Sequence, residues 1–335
     1  MSVLQTPANR SRRTPTSGDD LIHRLKSQLP TWTRALWLGG WLLLIAMVVH
    51  LLALGIRGGA VNGPVSLRKP IDFAESGWLM CWSMALILPL IDTRRWQRAV
   101  IASTTLLFGI GETTVMAIQA WRGVPSHYNF TTTFDALLVR VGAAGFAGLL
   151  LAGLVVLLVG TVRTSELAAP IRIGVVGGVG VLLLGCLVGF GMISNNSGVF
   201  QGSFGSGFAN RSSGYLGPSA RTVGREYVLL RPATAGGDLV LPHAIAVHGL
   251  ILLAVPAVLL TRTSLSRLRQ VQLAAASVTA VVVGLAVLSV HALRQLPLDR
   301  LSPASQGVLG LCGATLIAVY VVLVREWHRT DPTPG

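Results

Sequence analysis

Residues 35–56 read ALWLGGWLLLIAMVVHLLALGI, an apolar run of 22 residues with one titratable side chain, His50. A helix rising 1.5 Å per residue covers roughly 33 Å over that length, enough to cross the ~30 Å hydrocarbon core of a bilayer. Working outward, runs of similar character lie at about 34–56, 73–92, 98–120, 134–160, 171–193, 241–261, 270–293 and 306–324. Across all 335 residues, 52% are hydrophobic and only 12% charged, about half the charged share of a soluble domain. A water-soluble globule is excluded. The expected fold class is all-α: a polytopic transmembrane helical bundle of about eight spans, multi-pass in a cell membrane, with the lipid bilayer as partner.

The formal net charge is +14, from 27 Lys and Arg against 13 Asp and Glu. Those cations are dispersed among short segments between apolar runs rather than gathered in a patch, so nucleic acid is not an expected partner. With the N-terminus inside, 16 Lys and Arg fall on inner segments and 10 on outer ones, with Arg140 inside a span. The positive-inside rule therefore places both termini in the cytoplasm. The organisation that follows is a disordered basic cytoplasmic tail at 1–33, a bundle at 34–324 and a cytoplasmic tail at 325–335. The one long extracytoplasmic loop is 194–240, where Phe200, Phe204, Phe208 and Tyr215 alternate with Gly and Ser; recurring aromatics in a long loop point to a lid packed on the outer face. Cys81, Cys186 and Cys312 all lie in apolar runs and form neither a disulfide framework nor a zinc motif.

Local signals agree with the span map. Asp72 with Glu75, and Thr132 with Asp135, have the spacing of a capping box at the second and fourth spans. Pro242 falls in the first turn of the sixth, where its missing N–H matters little. Gly174 with Gly178, and Gly185 with Gly189, give the fifth span two GxxxG faces suited to close helix packing.

Polar chemistry collects towards one side. Of the seven histidines, His50, His127, His243, His248 and His291 fall in the outer half of the membrane or just outside it. Counting helix rise from the span ends, His50, Glu112, Arg140 and His248 each lie roughly 9–12 Å below the outer boundary. Ionisable groups at membrane depth pair with one another and face an interior cavity, so a single outer polar cavity is expected. Within it Glu112 and Arg140 either neutralise one another as a structural ion pair or set the local field of a site, and with His127 and His243 they are the candidate catalytic groups. His50 and His248, on different helices, are the candidate ligands of a haem or transition metal; metal identity is open. HExxH, CxxC, Walker and GxSxG motifs are absent from the sequence. Three readings follow: a metal- or haem-supported or acid–base membrane enzyme acting on a small or amphiphilic ligand; a small-solute transporter or permease, ranked second because no broken helix pair is visible; and an accessory membrane subunit.

Three segments carry a resemblance: RKPIDFAES at 68–76, QAWRGVPSHYN at 119–129 and GDLVLPHAIAVH at 237–248. Together they resemble an uncharacterised group of bacterial polytopic membrane proteins with KPxxFxxS, RGxxSHxN and GDLxxxHxxxxH segments. The resemblance rests on Lys69, Pro70, Phe73 and Ser76; on Arg122, Gly123, Ser126, His127 and Asn129; and on Asp238, His243 and His248. It implies an integral protein of the bacterial inner membrane and no particular chemistry. The chain departs from the pattern at Glu75, at Arg221 where a histidine is usual, and at Ala244 where an aromatic is usual.

Overall fold

The computed structural model describes residues 31–59, 65–127, 129–195, 215–216 and 237–330. The tail before residue 31 and, apart from Tyr215 and Leu216, the expected lid at 196–236 lie outside the described residues. The chain folds as α1 (Thr31–Arg57), α2 (Arg68–Ile87), α3 (Arg95–Trp121), α4 (Thr133–Val139), α5 (Ala147–Arg163), α6 (Ala169–Asn195), α7 (Val240–Val247), α8 (Val255–Leu260), α9 (Arg267–Leu293) and α10 (Pro303–Thr330). A π-helical segment, Arg140–Phe146, joins α4 to α5 in one span, and another, Leu250–Ala254, joins α7 to α8. Strands β1 (Tyr215–Leu216) and β2 (Gly237–Asp238) pair antiparallel.

Among the described residues, seven helices are long and apolar enough to span a membrane, or eight if the α7–α8 pair, bent by 52°, is counted as one span. The protein is an all-α polytopic bundle and an integral membrane protein. Its helix ends follow local chemistry. Thr132 Oγ1 accepts from the Asp135 backbone N–H at 3.1 Å, starting α4 as the capping spacing predicts. Asp238 Oδ1 accepts from the Val240 and Leu241 N–H groups at 2.8 and 3.1 Å, satisfying two first-turn donors of the sixth span. The second span departs from expectation. It starts at Arg68 with no side-chain cap; Asp72 sits one turn inside the helix and pairs with Arg68 at 3.6 Å. Pro70 is the third residue of that helix, so its missing N–H falls on a donor that has no helical partner, which lets the helix begin early.

Glycines set the closest helix contacts. The stripe Gly174, Gly178, Gly185 and Gly189 on α6 faces the sixth span. A Cβ at Gly178 would meet the Gly249 carbonyl oxygen at 2.9 Å, one at Gly185 would meet the Ala246 Cβ at 2.9 Å, and one at Gly189 would meet His243 Cε1 at 3.2 Å. Gly77 and Gly109 form a matching close crossing of α2 and α3, with a Cβ on Gly77 only 2.9 Å from the Gly109 Cα. Without a hydrophobic drive between helices in lipid, such dispersion contacts carry the association. The apolar core runs through Leu43, Met84, Leu88, Ile101, Leu154, Leu157 and Leu182. By contrast, α1 and α10 present exposed apolar side chains such as Ile45, Leu52, Leu311 and Ile317, the surface a bilayer solvates.

The sixth span leaves α-geometry for a local reason. Pro256 has no N–H, so the Leu252 carbonyl four residues earlier loses its α-helical partner. Tyr320 Oη, on α10, donates to that carbonyl at 3.2 Å. Gly249 sits at the bend against Gly178, where a Cβ of its own would come within 2.5 Å of the Gly178 carbonyl oxygen. The backbone therefore leaves α-geometry at 248–254 with its polar groups still buried in protein, the only setting in which irregular backbone is tolerated at membrane depth.

Candidate functional site at the outer end of the bundle

The polar groups cluster where α1 ends, α2 begins, α3 ends, α4 begins, α6 ends and α7 begins. This end is termed outer after the charge pattern. The groups form separate constellations rather than one cavity.

The first constellation is closed on itself. Asp135, 1% exposed, lies in the first turn of α4. Its carboxylate accepts from Gln119 Nε2 at 2.9 Å, from Thr132 Oγ1 at 2.7 Å and from Arg122 Nη1. Arg122 also donates to Gln119 Oε1 and lies over the Phe134 ring, 4.9 Å from its centroid. Asn129 Oδ1 takes the Thr131 N–H and hydroxyl at 3.2 and 2.6 Å. This network ties the 122–132 connection to the tops of α3 and α4. The capping spacing of Thr132 and Asp135 was legible in the sequence; the pairing with Arg122 and Gln119, 13 and 16 residues away, carries no sequence signal.

The second constellation gathers nitrogen bases. His127 lies in the 122–132 connection, with Nδ1 3.1 Å from Ser126 Oγ and its ring 5.7 Å from that of Phe73 on α2. Lys69 of α2 and His243 of α7 both act on it electrostatically. Desolvation first, then Lys69, then His243 push the His127 imidazole down from 6.5 to about 3. It is therefore neutral throughout the physiological range. His243 Nδ1 donates to the Gly185 carbonyl at 2.8 Å, which leaves Nε2 as its acceptor. The three segments of the sequence resemblance thus meet at His127: Lys69 and Phe73 from the first, Ser126 and His127 from the second, His243 from the third.

The third group is Glu112 on α3, 3% exposed, packed against the π-helical segment of the fourth span. A Cβ at Gly142 would lie 3.4 Å from Glu112 Oε2, and that oxygen is buried without a hydrogen-bond partner. The expected Glu112–Arg140 ion pair is not formed. Arg140 opens the π-helical segment and is exposed, while Gly142, two residues on, faces α3. The expectation rested on equal depth, and depth carries no information about the face of the helix.

The expected His50–His248 ligand pair is not brought together either. His50 Nδ1 donates to the Ala46 carbonyl at 2.7 Å and its Nε2 accepts from Trp121 Nε1 at 3.2 Å, so both ring nitrogens are in use. Arg57 stacks over the same Trp121, 5.0 Å from its centroid. His248 sits at the bend of the sixth span, its Nδ1 on the Ala244 carbonyl at 2.6 Å and its Nε2 buried without a partner. It lines a small cleft with Ser76 and Met80 of α2 and Ile251. α1 packs on α2 and α3, whereas the bent span packs on α6, α9 and α2. Among the described residues no group of three or more His, Cys, Asp or Glu could hold a metal ion. The donor set does not fit a haem or metal held by His50 and His248.

Comparison of the chain with family models, with curated proteins and with solved structures returned no match.

Proposed function

We propose that the protein is a small-solute transporter of the cell membrane whose moving part is the sixth span. The observation that carries this reading is the 52° bend between Val240–Val247 and Leu250–Leu260. Helices broken at membrane depth are the elements from which transporters build their substrate and ion sites, and π-helical turns concentrate at functional positions. Two further features agree. The bend places His248 Nε2, buried and unpartnered, in the cleft against α2, and a second π-helical segment faces the unpartnered Glu112 Oε2. An ionisable group inside the membrane without a structural partner is a functional candidate by default. A helix broken at membrane depth is the feature a transporter needs, and the 52° bend supplies it. Burial pushes the His127 imidazole well down, which counts against that one residue as an acid–base group at neutral pH.

Reconstituted into proteoliposomes, the wild-type protein is expected to give solute-dependent currents on a solid-supported membrane for at least one member of a panel of small anions, cations and neutral solutes. Glu112→Gln, nearly isosteric, is expected to abolish the signal while leaving thermal unfolding in detergent unchanged. Silence of correctly inserted wild-type protein across the whole panel contradicts the reading.

A further inference from the structure

We propose that Glu112 is a proton-binding site and that the proton it carries is the coupling ion of transport. The proposal rests on the transport reading and names its driving ion. Glu112 stands on α3 within a membrane span and is 3% exposed. Its Oε2 is buried without a hydrogen-bond partner. Among the described residues no charged side chain acts on it electrostatically. The ionisable groups on the outer halves of the elements packed against α3 are turned or engaged elsewhere. Arg140 of the π-helical segment is exposed. On α1, His50 uses both ring nitrogens on the Ala46 carbonyl and Trp121 Nε1, and Arg57 stacks over Trp121. On α2, Arg68, Lys69 and Glu75 act on Asp72.

The surroundings of Oε2 select the cation. A Cβ at Gly142 would lie 3.4 Å from Oε2 and 3.2 Å from Val115 Cγ1, so the oxygen faces glycine backbone and a valine methyl. A bound metal cation needs several oxygen ligands; a proton needs one. A bare carboxylate in such a setting is costly without a counter-charge, so the carboxyl holds its proton while the site is closed. Once water reaches it, the proton passes from the carboxyl to water on one side, and water on the other side returns one; no other bond changes. The π-helical segment opposite is the irregular element whose repacking admits that water. Motion of the bent span reaches the site through α2, which packs on both that span and α3 and crosses α3 at Gly77 and Gly109, one turn before Glu112.

The test uses the full chain in proteoliposomes with two readouts. Dicyclohexylcarbodiimide, an apolar reagent, converts a carboxylic acid to an N-acylurea and leaves a carboxylate untouched; peptide mass spectrometry locates the product. Modification of the wild type is expected at Glu112, falling about tenfold per pH unit on its alkaline limb, the slope of a single proton, and absent in Glu112→Gln. A pH-sensitive dye trapped in the lumen is expected to report proton movement evoked by the transported solute in the wild type and none in Glu112→Gln, with thermal unfolding showing that the variant is folded. Glu112 left unmodified in the folded wild type, or solute flux without proton movement, overturns the proposal and leaves the transport reading standing. Modification at Glu112 with no flux of any solute removes the transport reading, and the coupling role with it, and leaves Glu112 as a proton site.

Discussion

Asp135→Ala is expected to lower the stability of the protein in detergent by about 3 kcal/mol, an effect of the size seen when one partner of a buried, hydrogen-bonded ion pair is removed. The carboxylate is 1% exposed and takes donors from Gln119, Thr132 and Arg122. Alanine leaves the fully buried Gln119 amide and the Arg122 guanidinium facing an empty space. The Arg122 side chain is 38% exposed and regains some water, which keeps the estimate at the low end for a buried pair. The α4 N-terminus loses nothing directly, because Thr132 Oγ1 still accepts the residue-135 N–H. Asp135→Asn, which keeps shape and one acceptor, is expected to lose roughly half as much. Thermal unfolding of both variants alongside wild type checks the prediction. Equal melting temperatures for Asp135→Ala and wild type would mean that the network is a solvated surface feature.

The second large effect is expected at the bend. A side chain at Gly249 must displace either the Gly178 carbonyl oxygen, 2.5 Å from its Cβ position, or the Val181 side chain at 3.0 Å. The first obstacle is backbone, so Gly249→Leu pushes α6 away from the sixth span along the glycine stripe. Overpacking of this kind costs about 1–3 kcal/mol or more, and any flux that depends on the span is lost with it. Gly180→Leu is the control: a Cβ there meets nothing within 4 Å, so its effect is expected to stay within about 0.5 kcal/mol, as at an ordinary surface position. Melting temperature and proteoliposome current, measured on both variants, separate a packing role from a generic dislike of leucine.

The spans were legible because each is a long apolar run, and length against bilayer thickness is a robust physical criterion. The α4 start was legible too, since a threonine three residues ahead of a carboxylate is a local signal read without tertiary contacts. At α2 the same spacing misled: Asp72 and Glu75 read as a cap, but Arg68 four residues before Asp72 offers an i, i+4 ion pair and the helix runs through both. The bend of the sixth span left traces in Gly249 and Pro256, yet neither says that α6 carries glycines at the matching height or that Tyr320 satisfies the freed Leu252 carbonyl. For the site, helix rise gave depth and nothing gave facing. His50 and His248 have the same counted depth but make separate contacts on different helices; Glu112 and Arg140 have the same counted depth, but Arg140 is exposed while Gly142 faces α3. What brought Lys69, His127 and His243 together was tertiary, and the only sequence hint was that all three stood in the segments carrying the resemblance.

In the transport reading proposed above, the sixth span moves about its bend and opens the cleft beside His248 to each side of the membrane in turn. Val247 lines that cleft. The direct measurement places a single cysteine there, Val247→Cys, with Cys81, Cys186 and Cys312 replaced by alanine, and labels it with a membrane-impermeant maleimide in right-side-out and inside-out vesicles. Labelling from both sides is the predicted result. Labelling from one side only, with the protein folded and inserted, contradicts the account.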